Sequence, residues 1–570
     1  MISLLYFLWP EVLLTIAACA LFLLGAVPTV KARSLAPIIS LCALIAVFVG
    51  ILASGDTRGL EDQTHTILID RLALYIKLLS ASVAVLFVLL SWPTNAAATG
   101  NSALDVGHEV GEYYALMLLA IAGIFVVASA NDIILLFLGI ELASIPTYVM
   151  VSISRPLPAA QEAGVKYFFL GAMSAALMLF GFSYLYGTTG STSLTEIARG
   201  FHPGLGAGQS IWQLLAVILV MMGLAFKLAA VPLHVYAGDV YQGAATPVTA
   251  LLAFVPKTAG IVATIKILHV IAGPQWLDTP MVVIKLLWII AVLTMTFGNA
   301  LGLMQSNIKR VMAYSSVAHS GYMLATLTAL IACQGLSDPS KAGPIQSQAL
   351  AAVLFYLCAY GIMNTGAFGV LMVLPGRTDT HGRHDADGHP LPTAESAETF
   401  DDIAGQGQRH VALGLAMAVC CFSLAGLPLT IGFLGKVYLI RPAWMIAHAG
   451  SPMASLMFWL VILTMLNAAV SAGYYLKIVA YLFLRPESAE MAHPADGIAP
   501  APTQLFRSWP VTAAIALSVV GTIYYGTCWH AANRLTDRVT KAAEQTANVN
   551  QAPPTPAPVA SLRIAAESVK

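Results

Sequence analysis

Apolar windows of about twenty residues recur from one end of the chain to the other, separated by mostly short connections carrying Gly, Pro, Asp and Ser. A helix crosses a bilayer with about 20 consecutive apolar residues. The pattern therefore predicts about fourteen helices, over 3–27, 35–54, 71–92, 112–130, 132–153, 164–187, 210–236, 246–272, 281–304, 309–332, 347–374, 409–440, 454–485 and 509–529. Two longer polar connections stand out, Arg377 to Gln408 and Arg485 to Arg507. The last forty or so residues turn polar and Pro-rich, the composition of a disordered tail.

Pro232 falls inside the seventh predicted helix and Pro428 inside the twelfth, five helices apart. Proline removes a backbone donor and clashes with the preceding turn, so both helices are expected to be broken. The spacing suggests that helices four to eight repeat in helices nine to thirteen. The fold class is then an all-α polytopic membrane protein with two inverted five-helix repeats. Its expected organisation is three N-terminal helices (1–111), a first repeat (112–272), a second repeat (281–485), a loop with the last helix (486–530) and the tail (531–570). A packing kink is the plainer reading of either proline.

Composition supports the membrane reading. Of 570 residues, 58% are hydrophobic and 10% charged, with a mean hydropathy of +0.79. A soluble domain carries about a quarter charged residues, so this chain has too few to cover itself. The 28 basic and 28 acidic residues balance, which argues against nucleic acid as a partner. The seven cysteines show no ligand spacing and read as small interior hydrophobes. Met1 to Pro28 lacks a basic start, and its apolar run is long enough to span as a retained helix. With the N-terminus outside, the inner loops hold most of the basic residues, among them Arg155, Lys166, Lys309, Arg310, Arg377 and Arg485. The outer loops hold Arg58, Arg71, Arg199, Lys341 and Arg441, so both termini are expected outside.

Ionisable groups inside apolar helices cost about 2.5–3.5 kcal/mol each to insert, and they mark function by default. Glu141, Lys227, Lys257 and Lys436 stand in such runs. Desolvation disfavours the charged form of a lysine, which lets it exchange a proton near neutral pH, and a carboxylate beside it pulls the other way. A Glu–Lys pair is thus an adjustable proton site. A snorkelling lysine at a helix end is the bland alternative. His234, beside the first proline, and His319 are candidate relays, or else ordinary hydrogen-bonded interior histidines. Lys477 and Lys285 divide between relay and helix-end placement. The loop His381-Gly-Arg-His384-Asp-Ala-Asp-Gly-His389 has metal-binding residue types, but nothing fixes its geometry, and it reads as a solvated loop.

The run Ala225-Phe-Lys227-Leu-Ala-Ala-Val-Pro232-Leu-His234-Val-Tyr-Ala-Gly-Asp239-Val-Tyr-Gln-Gly243-Ala-Ala-Thr-Pro247 resembles the signature of the antiporter-like membrane subunits of respiratory complex I. Gly139-Ile-Glu141-Leu, Asn307-Ile-Lys-Arg310 through His319-Ser-Gly-Tyr322, and Gly426-Leu-Pro428 through Lys436 agree with it. Within the family, lysine at 436 fits the N and L types, and the wording around it is that of the N type. Ala237-Gly238, where the family usually has Thr-Pro, and Pro256 before Lys257 depart from the pattern.

The resemblance implies an input pair Glu141–Lys227, a central relay Lys257 and an exit-side Lys436. It implies an NADH–quinone oxidoreductase subunit that binds no cofactor itself, with NADH, FMN, iron–sulfur clusters and quinone elsewhere in the complex. Other membrane subunits would be its partners, in the bacterial inner membrane. A multisubunit cation/proton antiporter or membrane-bound hydrogenase has the same helix pattern, and a non-pumping membrane scaffold is the reading from another class.

Overall fold

The computed structural model describes residues 8–26, 30–53, 60–61, 66–92, 109–155, 157–200, 207–272, 281–333, 336, 338–374, 397–486 and 508–528. The expected tail 531–570, the histidine-bearing stretch 381–389 and most of the segment 485–507 lie outside them.

The described residues are nearly all helical. The long helices are α1 (Trp9–Gly25), α2 (Val30–Ala53), α3 (Arg71–Leu90), α4 (Val110–Ser129), α5 (Ile133–Ile153), α6 (Pro158–Thr189), α7 (Ala207–Lys227), the short α8 (Ala237–Gly243), α9 (Thr246–Ala272), α10 (Met281–Leu303), α11 (Ile308–Ile331), α12 (Ala342–Val373), α13 (Val411–Ala425), α14 (Ile431–Ala447), α15 (Ala454–Leu484) and α16 (Trp509–Thr527). Ten of them are long and apolar enough to cross a membrane, and α1, most of α7, and α13 are shorter apolar helices. A two-residue antiparallel pairing, Leu60–Glu61 with Leu68–Ile69, is the one strand pair among the described residues.

Local chemistry sets the ends. Asp70 caps α3 by accepting from the Ala73 amide at 2.7 Å, and Asp132 caps α5 through the Ile134 amide at 2.8 Å. Thr399 and Asp402 form a reciprocal capping box on a single turn, Phe400–Ile403, within the stretch expected to be loop. Both predicted breaks are present. The seventh predicted helix, 210–236, ends at Lys227 and runs on as turns, with α8 formed beyond it in the expected connection, and the twelfth divides into α13 and α14. Pro37, Pro146, Pro256 and Pro442 lie inside continuous helices instead. Helix runs through each of those prolines, whereas at Pro232 and Pro428 the chain leaves the helix before the proline.

The layers explain where charge can sit. Helices α9, α11 and α12 are enclosed by protein on nearly every face. The outer helices turn large apolar side chains outward, such as Phe168 and Phe169 on α6 and Trp459 and Leu466 on α15. No water satisfies polar groups on that lipid-facing side, so buried polar residues must partner within the bundle.

Candidate functional site: a line of buried lysines

Helix α7 ends at Lys227, where the unpaired carbonyls of a helix end favour a cation. The Ala230 amide folds back to the Ala225 carbonyl at 2.7 Å, and Ala229 takes a left-handed turn (φ 52). The ammonium points at α5. Its Nζ is 2.9 Å from Glu141 Oε1 and donates to Ser144 Oγ at 2.9 Å and Tyr148 Oη at 3.1 Å. Glu141, Ser144 and Tyr148 stand at i, i+3 and i+7, one face of one helix. The Lys227 side chain is 2% exposed and that of Glu141 15%, so the carboxylate sits nearer the boundary than its apolar flanks suggest. The Tyr148 and Phe226 rings lie within 5.7 Å of the ammonium.

A small cavity separates Lys227 from Lys257, lined also by Tyr167, Tyr236, Tyr241 and Pro256. Pro256 has no N–H, so the Leu252 carbonyl loses its usual helical donor beside this cavity, and the helix nevertheless runs on unbroken. Lys257 is buried, donates to the Ser316 carbonyl on α11, and has the Tyr360 ring centroid at 5.1 Å. Ser316 Oγ in turn shares a hydrogen bond with Tyr241 Oη at 3.0 Å.

One turn further along α11 is His319, fully buried. Its Nδ1 is 2.5 Å from Tyr356 Oη and its Nε2 3.0 Å from Tyr475 Oη, which also pairs with Ser315 Oγ. Tyr322, the next turn, packs edge-on against the His319 ring and lies 5.3 Å below the Lys436 ammonium. Lys436 donates to the carbonyl of Ala425, the last residue of α13, at 2.8 Å. Lys227 precedes its break and Lys436 follows its own, yet both ammonium groups sit at the carboxyl end of the first half-helix. Two glycines allow this. Gly426 adopts φ +88, and a Cβ on Gly432 would fall 1.9 Å from the Ser423 carbonyl oxygen.

Glu141, Lys227, Lys257, His319 and Lys436 thus lie in one line, joined by an ion pair, a cavity, successive turns of α11 and the Tyr322 ring. The other candidates stand apart from it. His234 is buried beside the first break, and its Nδ1 has no hydrogen-bond partner among the described residues. Lys477 rests on the Phe400 ring at 4.2 Å, two turns before the end of α15, and Lys285 is exposed. Sequence reasoning passed over Ser144, Tyr148 and Ser316, although the spacing from Glu141 marks the first two. It also counted Lys309 as a loop charge. In the structure Lys309 is buried in the first turn of α11, pairing with Glu398 at 3.1 Å, while Arg155 reaches the same oxygen at 2.8 Å. Burial pushes the Glu398 carboxyl up, but these two cations outweigh it and hold it below the usual carboxylate range. Asp239 on α8 pairs likewise with Arg310 at 2.7 Å and Lys166 at 2.9 Å. Among the described residues no group of three His, Cys, Asp or Glu could hold a metal ion.

The family model described as NADH:quinone oxidoreductase/Mrp antiporter, TM, matches residues 130–465. The chain belongs to this family. NADH-quinone oxidoreductase subunit N of Trichlorobacter lovleyi is 34% identical over 516 residues, covering 90% of this chain and 91% of that one. The subunit of the same name from Myxococcus xanthus is 36% identical over 433 residues, 74% of this chain and 76% of its own. A chain in the structure of respiratory complex I from Thermus thermophilus with bound aureothin superposes with a TM-score of 0.66 at 27% identity, covering 91% of this chain and 97% of that chain. The matched family region contains every member of the polar line, Glu141 to Lys436.

Proposed function

We propose that this chain is a proton-translocating membrane subunit of an NADH:quinone oxidoreductase, with Glu141–Lys227 as its input pair, Lys257 as its central relay, His319 as a link and Lys436 on the exit side. The observation that carries this reading is the Lys227 ammonium held 2.9 Å from Glu141 with a cavity leading on to Lys257. While Glu141 stays close, it holds the proton on Lys227. A shift that draws the carboxylate away leaves an unpaired ammonium in a dry site, and its proton passes through water in the cavity to the Lys257 amine. The Ser316, His319 and Tyr322 turn of α11 then bridges Lys257 to Lys436.

The energy for that shift comes from quinone reduction elsewhere in the complex. This chain offers no cofactor cradle in the reading, and NADH, FMN, iron–sulfur clusters and quinone belong to other subunits. The partners are then the other membrane subunits of complex I, antiporter-like and small, and the membrane is the bacterial inner membrane with both termini periplasmic. The family description also spans Mrp antiporters. Relatives named subunit N at 34% and 36% identity over most of the chain favour the oxidoreductase. The test is proton translocation by the purified complex in liposomes. With Lys227→Arg, which keeps the charge but cannot release a proton, quinone reduction should continue while the proton-to-electron ratio falls. An unchanged ratio rejects the reading.

A further inference from the structure

Helices α1 to α3 lie outside the matched family region, yet they carry a buried charged group of their own. Glu11, in the first turn of α1, and Lys77, in the second turn of α3, are 2.7 Å apart, with side chains 7% and 2% exposed. Glu11 Oε2 has no hydrogen-bond partner among the described residues. An unpartnered carboxylate oxygen in a dry bundle is costly, and it is an open acceptor for a proton.

A third member comes from α9, the helix that carries Lys257. Lys266 lies nine residues further on and donates to the Ala130 carbonyl at 2.6 Å, and Ala130 pairs with Ile67 just before α3 begins. The ring contact of Phe87 with Phe254 at 6.1 Å, and the meeting of Lys266 and Ile67 at Ala130, show that α3 runs antiparallel along α9. Ser80, one turn inward from Lys77, therefore falls between the levels of Lys257 and Lys266. It too is buried with no hydrogen-bond partner among the described residues. The composition repeats that of the first site: a Glu–Lys pair between two helices, facing a lone lysine on α9.

We infer that Glu11, Lys77 and Lys266 form a second proton-carrying group, fed from Lys257 along α9 and opening at the membrane face where α3 and α5 begin. Lys257 and Lys266 are about 14 Å apart along the helix, too far for one transfer. The Ser80 hydroxyl and water span the gap. Lys77 as an ammonium gives its proton to the Glu11 carboxylate, leaving a neutral amine and a carboxylic acid. The net charge is unchanged, so the step creates no new buried charge. Either form then exchanges with the Lys266 amine or with water at the helix ends.

This inference rests on the transport reading above, so its experiment includes Lys227→Arg as a control. The whole complex is purified, reconstituted in liposomes and assayed for proton-to-electron ratio and uncoupled quinone reduction. Variants are Lys77→Arg, Lys266→Arg and the neutral pair Glu11→Gln with Lys77→Met. The expected result is normal quinone reduction in all of them with a loss of ratio comparable to that of Lys227→Arg. If Lys227→Arg keeps the wild-type ratio, the transport reading itself fails. If Lys227→Arg loses it while the neutral pair and Lys266→Arg keep it, the group only docks the N-terminal helices and the inference is overturned. Should the Lys77 variants fail to assemble, Lys266→Arg, at the less buried end of α9, decides alone by the same two outcomes.

Discussion

Each buried lysine has a different partner, and the partner sets what it can do. Lys227 faces a carboxylate and two hydroxyls, whereas Lys257 and Lys436 donate to backbone carbonyls that carry no formal charge. Removing the charge of Glu141 should therefore disturb Lys227 alone. In Glu141→Gln, side-chain volume and the Ser144 and Tyr148 contacts remain, so assembly should be normal while proton pumping drops well below wild type; wild-type pumping in the assembled variant would dissolve the pair. At this scale the sequence was informative because a charge in an apolar run is costly and hence conspicuous. It was uninformative about Ser316 and Tyr322, whose hydroxyls and carbonyls gain meaning only through the helices that face them. Lys77 and Lys266 stand in apolar runs under the same rule as Lys227, and the sequence reading passed over both.

The elements that matter are the half-helices. Prolines 232 and 428 announced them, and the exposed proline rings lie in the connections rather than in the ladders. What the sequence did not announce is how the halves are held. The short helix α8 is fastened through Asp239 to Lys166 and Arg310, and the start of α11 through Glu398 to Lys309 and Arg155. Those partners are separated by 71 to 243 residues, so no local pattern pairs them. Because the Glu398 carboxyl is held below its usual range, its stabilising contribution is complete above about pH 4.3, its ordinary value. It is lost as pH falls through the lower folded value. Glu398→Gln should cost about 3 kcal/mol, since it leaves two cations facing a neutral amide. Thermal unfolding of the detergent-solubilised complex should then begin earlier at neutral pH, with the difference from wild type shrinking in acid. An unaltered melting profile at neutral pH would deny Glu398 this role.

Across the whole molecule, charge is sorted by depth and by end. The pairs of Asp239 and Glu398 gather the basic residues Arg155, Lys166, Lys309 and Arg310 at one end, which the proposed orientation puts in the cytoplasm. Protease added to sealed inside-out vesicles should therefore cut between Arg377 and Gln408 and spare the chain beyond His530; the opposite pattern would invert the orientation. Between the two ends, the enclosed helices α9 and α11 carry the lysines and histidine of the proposed relay past a small cavity, and the outer helices keep lipid away from it.

The central claim is that these buried lysines carry protons rather than anchor helices, and Lys257 tests it most directly because no carboxylate pairs with it among the described residues. The measurement is the proton-to-electron ratio of the reconstituted complex bearing Lys257→Arg. Arginine keeps the positive charge and the donor to the Ser316 carbonyl but stays protonated at any working pH. The account predicts an assembled complex that reduces quinone with a clearly lowered ratio. A wild-type ratio in that complex would contradict it.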